Sequence, residues 1–402
     1  MSAGSAGPAP GRAAGASTPA CPPEWTTPDQ RELYEAVLRL AESLPRDVRE
    51  RDRAQAFSRS AWERCAAFGI QGLPLPEDLG GGGAGVVTTL LALEALGQGC
   101  TDGGLLFSVN AHMWAVEVPL WRYGSREQQR TWLPRLCSGE LIGAHAMSEP
   151  ESGSDAFALS ASARPAEGGY VLEGSKAFVT NAPIADLVLV FARTTRGIGP
   201  YGVSAFLVPA GTPGCTVGRP TEKMGLRTSP MAEVALSGCF VPDSALLGRP
   251  GQGGEIFQLA MGWERACIMA TQVGVMRRTM AACATYAAQR RQFGRPIGRF
   301  QAVADKLADM RIAVDTAHLL LLRVGWLMDH GHDVTVEAAV AKVAVSEASV
   351  RCHLDAVQLH GGYGYTTEFE VERMLRDAIG GTLYSGTSEM QRQIIARSLL
   401  PW

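Results

Sequence analysis

The segment Met147-Ser-Glu-Pro-Glu-Ser-Gly-Ser-Asp155 gathers small polar residues around a glycine. Such a turn lets backbone N–H groups come close to an anionic or carbonyl-rich ligand, although by itself it also reads as a turn at a domain boundary. Further polar clusters follow: Gly174-Ser-Lys-Ala-Phe-Val-Thr-Asn181 and Lys223-Met-Gly-Leu-Arg227. The last third adds Arg290-Arg-Gln-Phe-Gly294 with Gln301, Ala356-Val-Gln-Leu-His-Gly-Gly-Tyr-Gly-Tyr365, Arg376-Asp377 and Tyr384-Ser-Gly-Thr-Ser-Glu-Met-Gln391. By residue type alone Arg290 could stand in a surface salt bridge. Glu264 offers a carboxylate, but a solvated acid in the first turn of a helix would look the same. A serine such as Ser385 cannot remove a proton unaided, and nothing in the sequence places a base beside it. Asp329-His-Gly-His-Asp333 has metal-binding residue types without a second ligand cluster, so it reads as a polar turn and no metal is expected. Gly248 to Gly254 looks like a dinucleotide loop but follows no buried parallel strand, which argues against a Rossmann site.

The elements that must position these residues fall into three regions. A chain of 402 residues forms two or three packed units. Hydrophobic residues make up 46% and charged residues 19%, as in a globular protein. With 37 basic against 40 acidic side chains, the net charge of -3 gives no footprint for nucleic acid or an anionic membrane. No apolar run approaches a bilayer span. Residues 1–27, rich in Ala, Gly, Pro and Ser, read as a disordered tail without the pattern of a secretory signal. Nine dispersed cysteines, an odd number, suit reduced thiols in a cytoplasm.

Residues 28–143 read as an α-helical domain, with helices at Arg31 to Leu44 and Ala54 to Phe68 broken by a Gly80–Gly83 loop. Residues 144–247 carry short β-prone runs (Tyr170 to Leu172, Leu187 to Phe191, Val203 to Val208, Glu233 to Leu236) and read as a small antiparallel β-domain. Residues 254–402 are helical again. Val303, Leu307, Met310, Val314, Ala317, Leu321, Val324 and Leu327 recur every three or four residues, on one helix face. A second helix carries Val273, Met276, Met280, Cys283 and Ala287, and a third runs from about Val336 to His360 and stops at Gly361-Gly362. The fold class is α+β with a C-terminal four-helix bundle.

In this order, over nearly everything after the tail, the clusters resemble the acyl-CoA dehydrogenase family. The resemblance implies that family's fold, a homotetramer or dimer, and FAD held between the β-domain and the bundle. Met147, Ser148 and Ser154 would line the flavin, with Ser154 also at the acyl thioester. Phe178, Val179 and Thr180 would flank the ring, Phe178 replacing the family's usual Trp. Arg290, Phe293, Gln301, Gln358, Gly361 and Gly362 match residues that hold the pyrophosphate and adenine, partly across a subunit boundary. Thr387 and Glu389 complete the cofactor set. Arg265, Tyr384, Ser385 and Gly386 would meet the substrate.

The sequence departs from the family at Ser385, where most members carry the glutamate that removes the substrate's Cα proton. Isovaleryl-CoA and long-chain acyl-CoA dehydrogenases place that base on an earlier helix, in a Glu-Arg pair with a Gly further on. Glu264, Arg265 and Gly274 fall in that register, which makes Glu264 the expected catalytic base. The implied reaction is α,β-dehydrogenation of an acyl thioester to the trans-2-enoyl product. A short or branched acyl-CoA is the expected substrate, because Ser385 vacates space. An acyl or aminoacyl group tethered to a carrier protein is the alternative. An electron-transfer flavoprotein is the expected acceptor, with O₂ as the other candidate. A flavin monooxygenase on the same fold and a non-enzymatic acyl-binding scaffold are rival readings. The scaffold is favoured only by the missing glutamate at Ser385.

Overall fold

A computed structural model describes residues 26–195 and 199–400. Residues 1–25 of the expected tail, Cys21 among them, lie outside the described residues. The tail's expected boundary moves, because Thr26 is buried and the Thr27 side chain accepts from Gln30 N as the cap of the first helix.

The N-terminal region comprises α1 (Pro28–Ser43), α2 (Val48–Ala54), α3 (Arg59–Phe68), α4 (Val86–Gly99), α5 (Gly103–His112), α6 (Val118–Tyr123) and α7 (Arg126–Cys137). One π-helical turn, Met113–Glu117, joins α5 to α6. The single helix expected from Ala54 to Phe68 is in fact two. Gln55 ends α2 in the left-handed region at φ 53°, and the Ser58 side chain accepts from Ala61 N to start α3. Neither event disturbs the apolar spacing on which the single-helix reading rested.

The sheet holds β1 (Gly143–Ala146), β2 (Ser162–Ala166), β3 (Gly169–Thr180), β4 (Leu187–Arg193), β5 (Val203–Pro209), β6 (Cys215–Val217), β7 (Met231–Pro242) and β8 (Leu246–Leu247). Its order is β6-β7-β3-β2-β4-β5-β8, with β1 paired to β4. Pairing is antiparallel except at β4, which runs parallel to β1 and, at Arg193, to β2. β4 is buried on both faces: Leu187, Leu189 and Phe191 join one core, Val188, Val190 and Ala192 the other. Its unbroken apolar run follows from that double burial.

The C-terminal region comprises α8 (Gly253–Cys267), α9 (Ala270–Gln289), the short hairpin β9 (Arg291–Gln292) and β10 (Arg295–Pro296), then α10 (Gln301–Asp329), α11 (Thr335–His360), α12 (Val371–Gly380) and α13 (Ser388–Leu399). Helices α9, α10 and α11 pack on one another, and α8, α12 and α13 lie against α11. On α10 the expected face is buried at Met310, Val314, Ala317, Leu321 and Val324. Asp329, expected in a polar turn, accepts from Val86 N and Val87 N at 2.6 and 3.0 Å and so caps α4. Among the described residues no group of acidic, His and Cys side chains could hold a metal. No helix there is long and apolar enough to cross a membrane.

Two contacts lock the N-terminal helices onto the bundle. A Cβ on Gly274 would stand 2.0 Å from Glu94 O, and one on Gly97 2.0 Å from Thr271 O, so only glycine lets α4 and α9 approach this closely. Beside them the buried Glu94 carboxylate accepts from Arg277 Nη2 at 2.6 Å and meets His318 Nδ1 at 2.6 Å. Burial works against the Glu94 charge, but His318 and Arg277 outweigh it and hold the carboxyl below its ordinary value. Glu94→Ala should therefore destabilise the protein by about 3–5 kcal/mol, because it leaves a buried arginine without its counter-charge. Denaturant unfolding followed by circular dichroism measures this. A loss below about 1 kcal/mol would mean the triad does not hold the two regions together.

Candidate active site

Glu264 lies in the last turn of α8, not in a first turn, and is only 7% exposed. The solvated-acid reading of this residue therefore fails. Facing it is the turn between α12 and α13. Ser385 Oγ donates to Glu264 Oε1 at 2.8 Å. Ser385 and Gly386 both have left-handed backbones, at φ 57° and 87°, and for serine that conformation persists only where its surroundings enforce it. Gln391 Nε2 donates to Ser385 O at 3.0 Å and Gly386 O at 2.9 Å, while Lys342 Nζ donates to Gly386 O at 2.7 Å. Among the described hydrogen bonds, none uses the Ser385 N–H, which leaves that donor for a ligand.

Burial raises Glu264 above the ordinary carboxylate value, against the Ser385 hydrogen bond and the charges of Arg265 and Lys342. Arg265 Nε is buried and has no partner among the described residues. The Tyr384 ring lies tilted against Phe107 at 4.6 Å, and its hydroxyl points to Met269 Sδ at 3.9 Å. Trp263, next to Glu264, stacks on Trp114 at 6.0 Å. The structure thus brings together Glu264, Arg265, Tyr384, Ser385 and Gly386. Gly274, part of the register that singled out Glu264, serves the α4–α9 contact.

A second group forms on the sheet side. Lys176 Nζ, wholly buried, donates to Met147 O at 3.1 Å and to Glu149 Oε1 at 2.7 Å. Ala177 N donates to Ser148 O at 2.9 Å, so Met147 and Ser148 lie along the end of β3. There the β3–β7 register slips between Lys176 and Val179. Phe178 sits in this bulge at φ 56°, with its ring 68% exposed. Bulges re-aim side chains in this way. Val179 is buried and Thr180 half-buried beside it, whereas Ser154 stands in the exposed loop beyond Met147. Asn181 ties the group to its surroundings, Nδ2 donating to Ser108 O and Gly143 O at 3.1 and 3.2 Å. The Lys223–Arg227 cluster clasps α12, with Leu226 N donating to Asp377 Oδ1 at 2.5 Å.

Arg290, Phe293, Gln301, Gln358, Gly361 and Gly362 make a third group, at the far end of the bundle, and all are exposed. Sixteen residues of α11 separate Gln358 from Lys342, about 24 Å along the helix axis. The Arg290 guanidinium lies 5.5 Å over the Tyr363 ring, and Phe293 is 91% exposed at φ 49°. Within one chain these residues do not reach Glu264. Thr387 accepts from Met390 N as the cap of α13, and Glu389 is exposed in that helix's first turn.

Sequence reasoning missed Lys342 and Phe107, and held Lys176 and Gln391 only as members of their clusters, with no role for either. The signal for Lys342 was present: it shares a face of α11 with the buried Ala338, Val345 and Ser349, an unusual place for a lysine.

Three family profiles match the chain: the acyl-CoA dehydrogenase N-terminal domain over residues 27–140, the middle domain over 144–239 and the C-terminal domain over 251–400. The chain belongs to the acyl-CoA dehydrogenase family. Among its relatives, the L-prolyl-[peptidyl-carrier protein] dehydrogenase of Pseudomonas fluorescens is 43% identical over 349 residues, 87% of this chain and 92% of that protein. Among solved structures, the prolyl acyl carrier protein oxidase AnaB superposes with a TM-score of 0.92 at 41% identity, over 93% of this chain and 99% of its own. PigA with FAD and proline gives 0.91 at 39%, over 93% and 98%.

A buried carboxyl raised above its ordinary value of 4.5 penalises the folded state once it ionises. Below that ordinary value the group is protonated whether folded or not, and the penalty is absent; it is complete above the raised folded value. Glu264→Gln should therefore melt higher than the parent near neutral pH, with the gap closing as pH falls into the ordinary carboxylate range. Thermal unfolding of both proteins across pH tests this. An equal or lower melting point of the variant at neutral pH would show that Glu264 is not strained by burial.

Proposed function

We propose that this protein is an FAD-dependent dehydrogenase of an aminoacyl thioester, a prolyl group in particular, presented by a carrier protein. The observation that carries the chemistry is the buried Glu264 carboxylate held by Ser385 against a turn with an unused backbone N–H. The relatives carry the substrate class, and they favour the carrier-bound group over the short or branched acyl-CoA expected from Ser385.

The residues present suit FAD. The exposed Phe178 ring stands beside Met147, Ser148 and Thr180, where it can cover a flat ring system. Arg290 with the amides of Gln301 and Gln358 offers donors for a pyrophosphate. A Cβ added to Gly361 or Gly362 would meet nothing within 4 Å, so the backbone there is open to close approach. The separation of this far group from the sheet-side group suits a homo-oligomer in which each copy completes its neighbour's site. Bound FAD would supply the acceptor for the hydride that leaves the substrate.

Glu264 takes the substrate's Cα proton on a carboxylate oxygen, and Ser385 Oγ, now its donor, holds that carboxylate in place. A Cα–H beside an ordinary carbonyl is too weak an acid for this transfer. The Ser385 N–H therefore donates to the thioester oxygen and stabilises the charge that develops there. Glutamate at this position in other family members and serine here present the same backbone donor. Phe107 and Tyr384 wall the site with apolar surface, which excludes water and keeps Glu264 basic near neutral pH. Electrons leave for an electron-transfer flavoprotein, with O₂ as the competing acceptor.

The purified protein should be yellow. Arg290→Ala should lower FAD occupancy by removing a charge-assisted contact of about 1.5–3 kcal/mol, read from the flavin-to-protein absorbance ratio. Anaerobic mixing with a prolyl-loaded carrier protein should bleach the flavin faster than butyryl-, isovaleryl- or palmitoyl-CoA. Faster bleaching by a CoA thioester would return the substrate to acyl-CoA. A need for external reductant and O₂ would point to a monooxygenase, and a colourless protein that ignores added FAD would end the flavoprotein reading.

A further inference from the structure

Lys342 is a charged group at the centre of the site that the reaction described above does not use. It projects from α11 with its side chain wholly buried, and its Nζ donates to Gly386 O at 2.7 Å. Gln391, from α13, donates to the same oxygen and to Ser385 O. The two side chains together satisfy both carbonyls of the left-handed turn that presents Ser385 to Glu264. For hydrogen bonding alone, glutamine would serve at both places. A buried ammonium is costly unless a counter-charge lies near, and Glu264 is a carboxylate within its electrostatic reach.

The charges around this pair can be named from each side. Glu264 faces Arg265 from its own helix, Lys342 from α11, and Tyr384 from the turn, whose hydroxyl burial keeps neutral. The Met113–Glu117 turn packs on α8 through Trp114 against Trp263, and its acid Glu117 is taken up by His112 at 3.1 Å. Lys342 in addition faces the like charge of Arg265 on α8, and the acids Glu389 on α13 and Glu347 on α11. Burial pushes the Lys342 ammonium down to about 8, with Glu264 its largest opposing partner. Glu264, Glu389 and Glu347 oppose that shift and favour the charged ammonium.

We infer that Lys342 is a positioning residue for the base: it clamps the Ser385–Gly386 turn through a carbonyl and sets a positive charge beside the Glu264 carboxyl that favours its charged form. This rests on Glu264 being the base, but it can be tested without turnover.

Gln391 is the natural control, because it holds the same Gly386 carbonyl, and that of Ser385 besides, without a charge. The titration of the Glu264 carboxyl is read by infrared difference spectroscopy on the FAD-bound, substrate-free enzyme, with Glu264→Gln spectra as the blank. Lys342→Met should move the midpoint up by about one pH unit, the direction expected when a nearby opposite charge is lost. Lys342→Arg should restore it, and Gln391→Met, which loosens the turn but removes no charge, should move it clearly less than Lys342→Met does while slowing flavin reduction. Should Lys342→Met fail to fold or to hold FAD, Lys342→Gln keeps a donor for Gly386 and must show the same upward shift. An unchanged midpoint in the charge-removing variant, or an equal shift in Gln391→Met, would overturn the inference. Because the infrared reading needs no thioester, inactivity toward every substrate would count against the proposed function and leave this result standing.

Discussion

A carboxylate sealed from water must either find enough partners to stay comfortably charged or remain poised between its two forms, and this constraint organises the structure. Glu264 has one neutral donor in Ser385 and two cations at greater reach. Glu94 and Glu149 are also buried, but each is fully engaged: Glu94 by Arg277 and His318, Glu149 by Lys176 and the Ser160 and Ala161 amides. Those two are held below the ordinary carboxylate value and Glu264 above it. One residue type is thus held to its charge at two places and pushed toward its neutral form at a third, with the surroundings making the difference.

The rest of the chain serves to hold that third environment. The reciprocal glycines Gly97 and Gly274 let α4 and α9 close on each other, which fixes the core behind the end of α8. Asn181 bonds α5 and β1 from the end of β3, so the sheet-side group is set against the same helices. Leu226 bonds Asp377 and ties the Lys223–Arg227 loop to α12, the helix that leads into the Tyr384–Ser385 turn. The reactive geometry is produced by several elements, none of which carries it alone.

The helical faces were legible because apolar spacing in α9 and α10 reports burial directly. Strand β4 was legible as a run of apolar β-formers. Backbone events without a side-chain signature were not. Gln55, Phe178 and Ser385 all take left-handed conformations that their residue types do not announce. The Ala54–Phe68 helix was misjudged for that reason. Ser385 could be named as a departure from the family but not as the donor to Glu264, because the two lie 121 positions apart in the chain. Lys342 stayed hidden because it is a lysine on an apolar face, and periodicity counts it only as an interruption. The exposed group at Arg290 and Gln358 was named from resemblance alone, and a single chain leaves it far from Glu264.

The central claim is that Glu264, and not the position occupied by Ser385, removes the substrate's proton. Stopped-flow flavin reduction by a saturating carrier-bound prolyl thioester, compared for Glu264→Gln and Ser385→Ala, tests it most directly. Glutamine keeps the size of the side chain but cannot accept the proton, so reduction should slow by about 10²–10⁴-fold with FAD still bound. Alanine keeps the backbone N–H at position 385 and should slow it only mildly. Near-normal reduction by Glu264→Gln, together with loss of reduction in Ser385→Ala, would contradict the account.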